Sequence, residues 1–168
     1  MVKRIILATF CLTLLVTCFS EVARSSEVIS ECSEQLLQKY PSIEAIEEQF
    51  RDGAKWQEKT VPSPHDSNLE LHIKTMEYPG ISIGTLEYTS DDEYRYFIIS
   101  VDVEKAGFVD FLGIDIGSTA GDVKKIFGEP QQIEGNMLAY EDDNGFYLIC
   151  FIIENNKVKE MKFRTFLD

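Results

Sequence analysis

Histidine occurs only twice in this 168-residue chain, tryptophan once, and basic residues are outnumbered 29 to 16 by acidic ones. Each scarcity excludes something. His72 sits on the polar side of an alternating strand pattern and His65 in a proline-rich loop, so the pair reads as two surface histidines rather than a metal or catalytic couple. No Gly-x-Ser-x-Gly elbow marks a nucleophile, and no Gly-rich loop closes on Lys-Ser/Thr to cradle a phosphate. There is no Cys-x-x-Cys for zinc or redox work. The acidic turns Asp91-Asp92-Glu93 and Glu141-Asp142-Asp143-Asn144 offer oxygen ligands but lack the spacing of an EF-hand loop, and read as solvated hairpin tips. The expectation is a chain without catalytic residues, cofactor or metal. Its deficit of cations argues against nucleic acid, whose phosphates require positive patches; it suits a basic protein partner, or solubility alone.

What is present begins with an export signal. Met1-Val2-Lys3-Arg4 is a basic start, Ile5 to Phe19 is apolar apart from threonine and cysteine, and small residues follow at Ala23 and Ser25. Residues 1–25 are expected to be a signal peptide, cleaved near Ala23-Arg24-Ser25 or alternatively after Ser20. Leu15-Val16-Thr17-Cys18 offers a second route, a lipoprotein box with Cys18 as the lipidated residue, although Thr17 stands where a smaller residue is usual. The protein is therefore placed in the periplasm or outside the cell, on a membrane only if Cys18 carries lipid. Cleavage after Ser25 leaves 13 basic and 28 acidic residues, a formal charge of −15. Cys32 and Cys150 then remain, either as one disulfide or as two buried thiols.

Residues 26–168 are expected to form one α+β domain. Ile29, Cys32, Leu36 and Leu37 recur at helical spacing over Glu27–Gln38, and Pro41 ends that helix. A second helix carries Ile43, Ile46 and Phe50 and stops at Gly53. Ala54 to Asn68 reads as the least regular part, with Pro62 to Asn68 a turn-rich loop that shows no apolar period. Strands are expected over Leu69–Lys74, from Ile81 through Tyr88, over Tyr94–Val103 and over Phe108–Ile116. In the third, Phe97, Ile99, Val101 and Val103 alternate on one face and Tyr94, Tyr96 and Ile98 on the other. Thr119-x-x-Asp122 reads as a capping box, Val123, Ile126 and Phe127 as a buried stripe, and Gly128-x-Pro130 as a stop. A three-stranded meander follows: one strand from Met137 to Tyr140, a turn at Asn144-Gly145, a second strand over Phe146–Ile153 and a third over Val158–Phe166. Val158 is out of phase with Met161 and Phe163, which predicts a bulge near Lys159.

Residues 27–112 and 113–168 share the order helix, then antiparallel strands, so two tandem half-repeats are one reading and chance likeness the other. Within the second half, Ile116-Gly117-x-Thr119-x-x-Asp122-Val123, Phe127-Gly128-x-Pro130, Tyr140 and Asn156-Lys157-Val158 resemble the SmpA/OmlA (BamE-like) family, and are similar to β-lactamase-inhibitor-protein-like domains. The resemblance spans about Gly113 to Phe166. It implies short helices packed on one face of an antiparallel sheet, in an exported bacterial module that acts by binding another protein. If Phe97, Ile99 and Val101 face the core, then Tyr94, Tyr96 and Ile98 point outward as a candidate interface, unless the other repeat covers them. The expected function is a non-enzymatic binding module. The alternatives are a structural or lipid-anchored envelope component and, less favoured, an enzyme or metal carrier.

Overall fold

The computed structural model describes residues 26–66, 68–90 and 92–166. The signal peptide expected at 1–25 and the lipidation candidate Cys18 lie outside the described residues. Helix α1 runs over residues 26–39, burying Ile29, Cys32 and Leu36, and ends two residues before Pro41. Helix α2 (Ile43–Gln49) starts where the Ser42 hydroxyl accepts the Ala45 amide at 3.4 Å, and buries Ile43 and Ile46. Helix α3 (Ala120–Phe127) has the expected capping box, with the Thr119 hydroxyl accepting the Asp122 amide at 3.1 Å and the Asp122 carboxylate accepting the Thr119 amide at 2.9 Å.

The fold is α+β. Eight strands, β1 (Lys55–Pro62), β2 (Glu70–Tyr78), β3 (Ile81–Ser90), β4 (Glu93–Val103), β5 (Gln132–Glu134), β6 (Met137–Glu141), β7 (Tyr147–Glu154) and β8 (Lys157–Thr165), form one antiparallel sheet. The order across it is β1-β2-β3-β4-β8-β7-β6-β5, so two consecutive meanders meet where β4 pairs with β8. Paired residues Met76 and Ile83, Val101 and Phe163, Ile149 and Tyr140 place one side of the six inner strands, β2 to β6 across the sheet, in a common cluster. That cluster also contains Ile29, Cys32, Leu36 and Ile46 of the first two helices, Phe50 just after the second, and Val123 and Phe127 of the third.

Two register shifts set the phase. β8 leaves Lys159 unmatched between Ile152↔Glu160 and Ile153↔Val158, the bulge that the phase of Val158 predicted. β4 leaves Ile99 unmatched between Gly84↔Ser100 and Thr85↔Ile98. Gly84 is the residue that makes room for this second bulge: a Cβ there would stand 2.3 Å from Ser100 Oγ and 3.5 Å from Ile99 Cγ1.

Three expectations need correction. The stretch from Ala54 contains strand β1, whose only apolar side chains before Pro62 are Trp56 and Val61, too few to show a period. The C-terminal meander has four strands, because the short and wholly exposed β5 precedes β6. Phe108–Ile116 is a packed loop rather than a strand. Phe111 and Ile114 exchange backbone hydrogen bonds at 2.9 and 3.0 Å around Leu112 and Gly113, both at positive φ, and the apolar side chains serve the core directly.

Candidate functional site

The β4 bulge moves the expected interface. Upstream of Ile99, Tyr94, Tyr96 and Ile98 do share one face, but it is the face that Val101 and Val103 occupy after the bulge, toward the core. Ile98 is 4% exposed and belongs to the core cluster. Tyr96 packs against that cluster and donates its hydroxyl to the Tyr40 carbonyl at 3.2 Å. Tyr94 alone is exposed, at 59%, and donates to the Glu87 carboxylate. The three therefore form no outward patch. Loss of hydration raises both tyrosine hydroxyls above their ordinary range; for Tyr94 the hydrogen bond to Glu87 and then the charges of Glu87 and Glu44 add to this, and for Tyr96 the charges of Tyr94, Glu87 and Glu44 do.

The other phase of the same strands builds a different surface. Leu71, Leu86 and Phe97 occupy positions that alternate with His72, Lys74, Thr85 and Ile98, which lie on the side of the sheet that holds the core. With Tyr88, Phe146 and the loop 63–66 they line a groove of about 630 Å³. The Tyr88 and Phe97 rings stack with centroids 6.0 Å apart and planes 13° from parallel. The rim loop is held by its own turns: the Ser63 hydroxyl accepts the amides of His65 and Asp66, and the Asp66 carboxylate accepts that of Asn68 at 2.9 Å. His65 is thus at the groove, whereas His72 bonds Thr60 Oγ1 at 3.1 Å on the other side of the sheet, so the histidines form no pair.

Farther along this surface the character is ionic. Arg164 on β8 grips both carboxylate oxygens of Asp102 on β4, at 2.7 and 3.0 Å, and Lys162 pairs with Glu160 at 2.7 Å. Cys150 stands beside them, opposite Ala139 and Lys162. Cys32, by contrast, is in the core cluster on α1, on the far side of the sheet. The disulfide is therefore corrected: both thiols are free and buried, and a sheet one residue thick separates them. Burial pushes the Cys32 thiol up to about 12, with the charges of Glu31 and Asp110 adding to it. Burial also raises Cys150, against the opposing charges of Arg164 and Lys162.

The acidic turn at 141–144 is scaffolding. Buried Asp142 accepts the Tyr147 amide at 2.6 Å and the Asn144 amide at 3.3 Å, closing the β6–β7 hairpin. Among the described residues no group of three metal-ligating side chains converges. The groove residues Leu71, Leu86, Tyr88, Phe97 and Phe146 escaped the sequence reading because both phases of β4 are apolar. The signal that could have found them is Gly84, a strand-interior glycine of the kind that marks a bulge. No known protein family, curated protein or solved structure matches this chain.

Proposed function

We propose that the chain is an exported, non-enzymatic protein-binding module whose helices cover one face of the sheet and leave the other to a partner. In this reading it is two tandem helix-then-meander units joined at β4–β8. The order α2-β1-β2-β3-β4 and then α3-β5-β6-β7-β8 supports the tandem arrangement, as does a bulge in the fourth strand of each unit. The likeness of Gly113–Phe166 to SmpA/OmlA and β-lactamase-inhibitor-protein-like domains supports a binding role.

The observation that carries the reading is the groove of about 630 Å³, in which Leu86, Tyr88, Phe97 and Phe146 meet on the side of the sheet away from the core cluster. Rigid aromatic side chains of this kind supply contact area at low entropic cost. Immobilised mature protein should retain a discrete partner from the cell envelope or medium, identified by mass spectrometry. Phe97→Ala with Tyr88→Ala should release it while circular dichroism stays unchanged. Retention undiminished by both substitutions would show that the groove is not the contact.

A further inference from the structure

Strand β4 is paired on both sides along only part of its length. β3 matches it from Glu93 to Val103, apart from the bulged Ile99, whereas β8 reaches only Ser100 to Val103. The direction of the backbone groups in the remaining part follows from two bonds. The Thr165 hydroxyl donates to the Ile98 carbonyl at 2.9 Å, so Ile98 points its backbone toward the β8 side. Ser90 and Glu93 close the β3–β4 turn, so Glu93 points toward β3. Antiparallel alternation then sends the N–H and C=O of Tyr94 and Tyr96 away from β3. Among the described residues nothing bonds these four groups.

The corresponding place in the second meander is filled. Val158 precedes the β8 bulge as Ile98 precedes the β4 bulge. Its amide donates to the Ser118 carbonyl at 2.8 Å, its carbonyl accepts the Gly117 amide at 2.8 Å, and the Asn156 carbonyl accepts the Ala120 amide at 3.2 Å. There the chain lays its own extended segment along the edge. At Tyr94 and Tyr96 it does not.

This inner edge also lacks the protection given to the outer ones. β1 carries Lys55, Glu58, Lys59 and Pro62, and β5 is only three residues long, both ordinary ways of blunting an edge. Of the five exposed large apolar side chains among the described residues, Ile133 is on β5 and the other four gather around the β4 fork. Phe146 (43% exposed) shares the groove with Phe97; Phe166 (49%) donates its amide to the Phe146 carbonyl; Leu37 (40%) lies across a small cleft from Phe97 and Ile98; and Tyr94 is on the edge itself. A strand added here would find apolar contacts on both of its faces. The surrounding charge is negative: Asp66 is on the groove rim, Asp92 and Glu93 are at the turn, Glu87 is at Tyr94, and the nearby Arg95 is already held by Glu93.

We propose that the inner edge of β4 at Tyr94–Phe97 takes an extended segment of a partner protein by strand addition, a segment with alternating apolar residues and lysine or arginine between them. Main-chain hydrogen bonds would supply affinity and the flanking apolar sites specificity. The proposal rests on the protein-binding reading and names its mode and the partner's chemistry.

The probe is a fluorescein-labelled Lys-Val-Lys-Val-Lys-Val-Lys peptide, titrated by anisotropy against mature protein with hydrogen exchange of the Tyr94 and Tyr96 amides followed alongside. Binding should slow exchange at both amides. Backbone N-methylation of the peptide, replacement of its lysines by glutamate, and Tyr94→Pro in the protein should each weaken it about tenfold or more. Proline at Tyr94 removes an outward amide and leaves the β3 ladder intact; the methylated peptide makes the same test on unaltered protein. Equal binding of methylated and unmethylated peptides, unchanged exchange at both amides, or no binding at all would overturn strand addition. If a natural partner is captured by wild type and Tyr94→Pro alike, strand addition fails and the binding role stands. If the peptide binds at β4 and nothing is captured, the edge stands as a site and the binding role fails.

Discussion

Thr119 shows how much one side chain organises. Its hydroxyl caps α3, its amide is bonded by Asp122, and its backbone lies against Lys157 in an isolated bridge, so the helix start and the beginning of β8 are stitched together. Thr119→Ala should lower stability by about 1 kcal/mol, read as a shift in the urea midpoint at unchanged slope. The pH dependence has a definite sign. Hydrogen bonds from the Thr119 side chain and backbone hold the Asp122 carboxyl below its ordinary value of 3.8. A depressed folded-state value stabilises above the unfolded-state value, and the contribution fades as pH falls through the folded one. The stability gap between wild type and Asp122→Asn should therefore be constant near neutrality and close below pH 3.8. A gap that widens on acidification would contradict this assignment.

At the scale of the element, the bulge in β4 decides which side chains are inside. Ile98 on one side of Ile99, and Val101 and Val103 on the other, all reach the core because one extra residue resets the alternation. Deleting Ile99 would force one of these sets out. Fully burying such a side chain contributes about 1.5–3 kcal/mol, so the deletion should cost about 3–5 kcal/mol or abolish the transition, measured by near-ultraviolet circular dichroism on heating. An unchanged melting curve would mean that the strand re-registers at no cost. The two bulges differed in legibility for a physical reason. Around Lys159 only one phase is apolar, so a slip in phase is visible; around Ile99 both phases are apolar, and the slip is hidden.

Across the whole molecule, the two meanders share one interior. Phe151 on β7 meets Phe111 of the long loop at 6.4 Å, Phe127 of α3 at 5.0 Å and Tyr140 of β6 at 6.0 Å between ring centroids, and belongs to the same cluster as Met76 and Ile83 of the first meander. Phe151→Ala should cost about 3–5 kcal/mol. The loss should also be felt far away. Trp56, the single tryptophan, is on β1 at the opposite end of the sheet order from β5. Its fluorescence should move to lower urea together with the far-ultraviolet signal, in one coincident transition. Two separated transitions would show that the halves unfold independently.

The residues alone determined the three helices, because caps, stops and a 3.6-residue stripe are local devices: Ser42, Thr119-x-x-Asp122, Gly128 and Pro41 act within a turn of themselves. They also determined six of the strands and the Lys159 bulge, where alternation or a run of apolar residues was clear. Only the tertiary structure decided the rest. β1 and β5 are strands because neighbours pair with them, not because their own side chains are patterned. The faces of β4, the separation of Cys32 from Cys150, and the meeting of Leu86, Phe97 and Phe146 in one groove depend on register. Register is a relation between strands distant in sequence, fixed by the bulge and its glycine partner and by the junction with β8, and a single chain read in order does not contain it.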